Sequence, residues 1–418
     1  MAVYINPGIV SGNVHVPSSK SLSHRALLCA LLSDGETIIE DLCICDDVIA
    51  TLNIIKDLGK KVEVKNNIYY ISGSVNKTNK ILFANESGST LRFIIPILSL
   101  FEGEYKITGS SKLMSRPLEI YKKIFMEQGI IFDLTNDILT INGKLSSGEY
   151  EIPGNISSQF ITGLMYALPM MNGDSTIKIT GNYESKSYVN LTIDVLSKFG
   201  IEIVEKSYNE YYIKGNQKYK SCLYKCSGDY SQMAFWAVLG TINSDITISG
   251  MEKNSLQGDR KIVDILDKFA SNICYKDGIY YVSKSKVKAL DIDLSDIPDL
   301  GPILGVLSAC TKGISKIRNC QRLKYKESDR LEAIREELVK MNVDISIEDD
   351  MIVINPINEI NNSDIINSHN DHRIFMALAV LGTVSKNGVR IDDEKCINKS
   401  YPLFLKDLEG LGIKVEYK

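Results

Sequence analysis

A pattern of about 70 residues recurs six times along this 418-residue chain, and it limits the possible folds more than any single motif does. Each copy carries an extended segment, a polar turn, an apolar helical run, a strand near a glycine, a second, amphipathic helix, and a closing strand or hairpin. The helix-opening turns read P-S-S-K-S-L-S-H-R at residues 17–25, N-E-S-G-S-T-L-R at 85–92, G-N-I-S-S-Q-F at 154–160, G-D-Y-S-Q-M at 228–233, I-P-D-L-G at 297–301 and N-D-H-R at 370–373. A unit this short cannot bury its own apolar face and must pack against its neighbours. The expected fold is an α/β assembly of six similar units.

The second helix of each copy sets the register. Its end is marked at Gly59, Gly129, Gly200, Ala270, Asn342 and Gly412, and glycine is the residue expected just past a helix terminus. Before these marks, Ile262, Ile265, Leu266 and Phe269 fall at helical spacing, as do Leu331, Ile334, Leu338 and Met341, and Phe404, Leu408 and Leu411; such stripes face a core. After them come alternating hairpins, such as Val62 and Val64, a turn at Asn66 and Asn67, then Tyr70.

The sixth copy ends after a single strand. V-Y-I-N-P at residues 3–7 resembles I-V-I-N-P at 352–356, the returning strand of the fifth copy. The N-terminus is therefore expected to supply the missing strand. Two domains of three units each follow, one of residues 19–226, the other discontinuous, of 1–18 plus 227–418. Hinge motion is expected near residues 18 and 226, where few contacts would cross.

A net charge near −4, with 24% charged and 44% hydrophobic residues, describes an ordinary globular chain and not a nucleic-acid binder with a basic surface. No apolar run of membrane length and no export signal are visible, so a cytoplasmic protein with small-molecule partners is expected. The nine cysteines form no C-x-x-C pair, which argues against a structural zinc or a disulfide framework and leaves most of them as small buried hydrophobes.

The chemistry lies in the polar turns. Helix N-termini offer unpaired N–H groups and a positive dipole end. Here they bring cations too: Lys20 and Arg25, Arg116, Lys326 and Arg330, Arg373 and Lys399. Any one of these could be an ordinary surface charge, but their recurrence at matching loops favours a site. With Ser21, Ser157, Ser158 and Ser185 they suit phosphates and carboxylates, which arginine can clamp through two bonds. Asp299 and Glu327 stand among the cations. Either could simply complement a helix dipole, yet two carboxyl groups in unlike surroundings could also divide acid and base work.

In order and spacing, P-x-S-K-S-x-S-x-R, G-S-T-L-R, S-R-P, S-S-Q, S-K-S-Y, I-P-D, K-E-S-D-R, D-H-R and K-S-Y-P resemble the EPSP synthase family, the 3-phosphoshikimate 1-carboxyvinyltransferases of aromatic amino-acid synthesis. The resemblance covers the whole chain. It implies the enolpyruvyltransferase fold, two inside-out α/β barrel-like domains each of three βαβαββ units. It also implies transfer of the enolpyruvyl group of phosphoenolpyruvate to the 5-hydroxyl of shikimate 3-phosphate, by addition and elimination, in a monomer without metal or other cofactor.

Carried over residue by residue, the resemblance assigns Lys20, Ser21, Arg25, Ser157, Ser158, Gln159, Ser185, Asp299 and Lys326 to shikimate 3-phosphate. It assigns Lys20, Gly88, Arg116, Gln159, Arg330, Arg373 and Lys399 to phosphoenolpyruvate. Asp299 would accept the 5-hydroxyl proton and Glu327 would protonate the methylene carbon, with Lys20 touching both substrates. Ser18, His24, Glu86 and Arg322 depart from the family's usual residues, and Glu86 adds negative charge near an anion site. The related UDP-N-acetylglucosamine enolpyruvyltransferases are a weaker match, because they carry Lys-Asn where this chain has Lys20 and Ser21, and usually a cysteine in the second unit. A non-catalytic scaffold of six repeats would need neither Asp299 nor Glu327 amid cations.

Overall fold

The computed structural model describes residues 2–361 and 364–417, which divide by backbone contacts into two units, Met1–Pro17 with Ser227–Lys418, and Ser18–Cys226. Among the described residues there are six four-stranded sheets, three in each unit. Each has one parallel pair and two antiparallel pairings, the outer one a hairpin in all but the last sheet: Glu149–Pro153 runs parallel to Ser175–Thr180, which pairs antiparallel with Glu210–Ile213, which pairs with Ile203–Ser207. That is the βαβαββ unit.

The first helix of every repeat is nearly all buried, and in the discontinuous unit it is also largely apolar, as for Tyr230–Ile242, Gly301–Ala309 and His372–Gly382. A helix without a polar face has nowhere to go but the interior. The three first helices of the discontinuous unit pack on one another inside a single core, and the inserted unit has its own continuous core. In the inserted unit Gly88–Leu98 and Ser158–Ala167 cross closely enough that a Cβ on Gly163 would lie 2.7 Å from the Arg92 carbonyl oxygen. Strands such as Asn13–His15 and Leu223–Lys225 alternate exposed and buried residues, so each sheet keeps one face on its core.

The turn after each second helix is left-handed, at Gly59, Gly129, Gly200, Ser271, Asn342 and Gly412. In the fourth repeat this falls one residue beyond Ala270, because Lys261–Ala270 runs to its last residue before Ser271 turns the chain. Val3–Ile5 fills the gap in the last sheet, antiparallel to both Val389–Ile391 and Val415–Tyr417. The strand just before the Lys20–Leu32 helix does not pair with the strand just after it. Asn13–His15 instead lies parallel to Ile246–Ser249, and Thr37–Glu40 takes Leu223–Lys225 as its parallel partner. No described helix is long and apolar enough to cross a membrane.

Candidate active site

The helix starts differ between the two units. In the inserted unit the first helices of the three repeats are capped by the neutral hydroxyls Ser19, Ser87 and Ser157, with no acid in their first turns. The positive dipole ends there remain uncompensated and attract anions. In the discontinuous unit Asp229 and Asp371 cap two starts and Asp299 sits in the turn before the third. Its capacity for anions must come from side-chain cations.

In the inserted unit, Lys20 opens its helix and bonds Asp47 at 2.9 Å. Arg25 is buried, and its guanidinium meets only neutral acceptors: Thr192 Oγ1 at 2.9 Å, the Ser21 carbonyl at 2.8 Å and the Tyr188 carbonyl at 3.0 Å. A buried cation with no carboxylate bonded to it is prepared for an anionic ligand. Tyr188 and Thr192 belong to the Lys186–Lys198 helix, which opens at Ser185 in a left-handed conformation. Gly88, Arg116 and Gln159 come together as well. A Cβ on Gly88 would lie 3.0 Å from Arg116 Nη1 and 3.6 Å from Gln159 Oε1. The buried Nε of Arg116 has no hydrogen-bond partner. Gln159 accepts from Arg92 Nη1 at 2.7 Å and donates to Ser89 at 3.0 Å. Ser157 caps the helix that Ser158 begins, and half-buried Glu86 lies two residues before Gly88.

In the discontinuous unit, Asp299 is held by three cations. Its Oδ1 accepts from Lys326 at 3.1 Å and Arg330 at 2.9 Å, and its Oδ2 from Arg373 at 3.1 Å. Burial alone would raise this carboxyl, but Arg373, Lys326 and Arg330 outweigh it and keep Asp299 well below the usual carboxylate range. Burial also lowers the Lys326 ammonium, a shift that Asp299 opposes and Arg330 and Arg322 reinforce. Glu327 accepts from Arg330 Nη2 at 2.6 Å. Lys399 Nζ bonds the Asn370 carbonyl at 2.5 Å, one residue before the Asp371 cap.

Three residues that sequence reasoning did not assign are built into these clusters. Asp371, Arg92 and Asp47 anchor Arg330, Gln159 and Lys20 respectively. Asp371 and Arg92 stand inside the D-H-R and G-S-T-L-R motifs, and Asp47 is an acid in the first turn of Asp46–Asp57, where a dipole role is the ordinary reading.

Fold and clusters together define an α/β repeat protein that gathers fixed cations and carboxylates, a machine for small anionic substrates. Residues 6–408 match the model of the EPSP synthase (3-phosphoshikimate 1-carboxyvinyltransferase) family. The relative from Clostridium novyi, named 3-phosphoshikimate 1-carboxyvinyltransferase, is 43% identical over 98% of this chain and 97% of its own length. The one from Clostridium kluyveri, of the same name, is 43% identical over 99% and 98%. A solved EPSP synthase structure from Acinetobacter baumannii superposes with a TM-score of 0.83 at 23% identity, covering the whole of both chains. The chain belongs to the EPSP synthase family.

Proposed function

We infer that this protein transfers the enolpyruvyl group of phosphoenolpyruvate to the 5-hydroxyl of shikimate 3-phosphate, releasing inorganic phosphate and 5-enolpyruvylshikimate 3-phosphate. The observation that carries the reading is Asp299, an ionised carboxylate bonded by Lys326, Arg330 and Arg373, within a chain of this family. A carboxylate kept ionised is able to take a proton. The cations around it suit the phosphate and carboxylate of the substrates.

In the proposed chemistry the 5-hydroxyl oxygen attacks C2 of phosphoenolpyruvate as its proton passes to Asp299, and Glu327 protonates C3. The tetrahedral adduct then loses a proton from the new methyl group and expels phosphate, which regenerates the enol ether. Lys20, Ser21, Arg25, Ser157, Ser158, Gln159, Ser185, Asp299 and Lys326 are proposed to hold shikimate 3-phosphate. Lys20, Gly88, Arg116, Gln159, Arg330, Arg373 and Lys399 are proposed to hold phosphoenolpyruvate. The carboxylate-free bonding of Arg25 and the unpartnered Nε of Arg116 support these assignments.

The proposal includes a monomer working in the cytoplasm, where nine cysteines outside any disulfide suit a reducing compartment; light scattering in solution tests the monomer. Phosphate release with both substrates present, and none with either alone, tests the reaction. Release with phosphoenolpyruvate alone, or none with both, would overturn it.

A further inference from the structure

Ser185 opens the Lys186–Lys198 helix with φ 56° and ψ 35°, where a helix cap is ordinarily extended, and its side chain does not cap that helix. A left-handed backbone is costly for a residue with a Cβ and persists only where the surroundings fix it. Among the described residues the other left-handed positions outside glycine are Asn, Asp or His, except Ser271. Ser271 ends a helix, where such a turn is common. Ser185 has neither excuse, and it is 1% exposed.

The next residue supplies the hold. Lys186 Nζ donates to Glu205 Oε1 at 2.6 Å and to the Tyr208 carbonyl at 2.8 Å. It lies 3.8 Å from the Tyr208 ring centroid and 5.6 Å from that of Tyr183, within the range at which a ring face attracts a cation. The hairpin turn behind it is anchored to the Ser175–Thr180 strand, because Asn209 Nδ2 donates to the Ile179 carbonyl at 3.1 Å and the Asn209 carbonyl accepts from the Ile179 N–H at 2.8 Å. Tyr183 is tied in turn, with its hydroxyl 2.9 Å from that of buried Tyr211. The same loop lies on the turn that leads to Ser157 and Ser158. The Glu184 N–H donates to the Gly154 carbonyl at 3.2 Å, and a Cβ on Gly154 would sit 2.5 Å from the Asn182 carbonyl oxygen and 2.9 Å from Tyr183 Cα.

We propose that Lys186 is a positioning residue for shikimate 3-phosphate: caged by Tyr208, Tyr183 and Glu205, it pins the left-handed Ser185 and the loop packed on the Gly154 turn, so that the serines are set before the ligand arrives. The inference rests on the reading of Ser157, Ser158 and Ser185 as shikimate 3-phosphate ligands. The Lys186 ammonium is engaged by its cage, so its contribution is conformational and not a direct bond to phosphate. Where only a fraction of molecules has the loop in place, affinity falls by that fraction.

The test compares the full-length wild type with Lys186→Met, Lys186→Arg, Tyr208→Leu and the Lys186→Met, Tyr208→Leu double variant. The Lys186 side chain is 14% exposed and Tyr208 is 64% exposed, so neither change opens a core. Lys186→Met should raise both the KM and the calorimetric Kd for shikimate 3-phosphate about tenfold, the ratio to which a left-handed penalty converts once nothing holds it. The kcat and the KM for phosphoenolpyruvate should stay near wild type. Lys186→Arg, which can stack on the ring and pair with Glu205, should recover most of the loss. Tyr208→Leu should raise the same KM, and the double variant should be no worse than Lys186→Met. If Lys186 bonded the phosphate directly, Tyr208→Leu would free it and leave that KM unchanged or lower; this result overturns the proposal, as does an equal change in both KM values. The carbon-13 shifts of Ser185, assigned by the peaks lost in Ser185→Ala, should leave the left-handed range in Lys186→Met without any ligand, and unmoved shifts would sink the clamp. If wild type neither binds shikimate 3-phosphate nor releases phosphate, the functional reading fails separately, and the shifts still decide whether Lys186 holds Ser185.

Discussion

Arg330 and Asp371 are joined twice, Nε to Oδ2 at 2.8 Å and Nη2 to Oδ1 at 3.2 Å, with neither side chain more than 1% exposed. Arg330 comes from the fifth repeat and Asp371 from the sixth, where it also caps its helix by accepting the Arg373 N–H at 2.9 Å. Arg330 Nη1 donates to Asp299, and Arg330 Nη2 donates to Glu327 as well. One buried guanidinium thus sets the positions of three carboxylates. Removing one partner of a buried pair leaves a charge without its counterion, at about 3–5 kcal/mol. Asp371→Ala should cost roughly 3 kcal/mol, the low end, because Asp299 and Glu327 still face Arg330. Urea unfolding measures it, and a loss of only a few tenths would contradict the finding.

The same pair predicts an acid transition. Arg330 outweighs burial and holds the Asp371 carboxyl below its ordinary value, to about 2. The unfolded chain binds this proton near pH 3.9. The pairing therefore stabilises the fold above about pH 4, and the contribution, of order 2 kcal/mol, is lost as pH falls toward 2. In Asp371→Asn the urea midpoint should be lower at pH 5 and approach that of wild type near pH 2. Parallel curves would count against it.

The two proposed catalytic carboxyl groups should separate by kinetics. Asp299→Asn and Glu327→Gln each keep shape and lose charge, so ground-state binding should largely persist while kcat falls roughly 10²-fold or more, the usual cost of losing a general acid or base. In deuterated water, single turnovers should show altered isotope incorporation at the methylene carbon mainly for Glu327→Gln. Near-normal turnover in both variants would remove these residues from the reaction.

Gly88 gives a steric test. An added Cβ would sit 3.0 Å from Arg116 Nη1, tighter than ordinary packing, and the guanidinium would have to give way. Gly88→Ala should raise the KM for phosphoenolpyruvate several-fold and leave that for shikimate 3-phosphate near the wild-type value. Equal changes in both would show that the residue is not specific to one substrate.

The repeat was legible because its signals are local: polar caps, apolar first helices, and left-handed turns such as Asn66 and Asn67 after Lys61–Lys65. The missing sixth-repeat strand could be found because V-Y-I-N-P resembles another returning strand. The exchange of Asn13–His15 and Leu223–Lys225 was not, since a three-residue strand with one buried side chain does not encode its partner. At the site, cations stood out by recurrence, and Asp299 by standing among them. Asp371 was hidden because an acid at a helix start already has a sufficient explanation as a cap, and a sequence does not show that one carboxylate does both jobs.

His24 offers a last test, independent of catalysis. It stands at a position where the family resemblance favours asparagine, is 1% exposed, and its Nδ1 lies 2.8 Å from Thr51 Oγ1. Thr51 bonds Thr90 at 2.7 Å, and Thr90 bonds the cap Ser87 at 2.7 Å, so the ring is tied to the start of the Gly88–Leu98 helix. Burial, then Lys20 and Arg25, lower its proton affinity well below the ordinary imidazole value. The folded chain therefore prefers neutral His24, whereas the unfolded chain takes up the proton below about pH 6.5. Stability from this residue is complete above about 6.5 and declines as pH falls toward the lowered folded value. His24→Asn should lower the urea midpoint at pH 8, since a smaller side chain leaves space in a packed core, yet lose less stability than wild type between pH 7 and 5. The other histidines are common to both proteins and cancel in the difference. Equal losses over that range would mean that His24 is not held neutral.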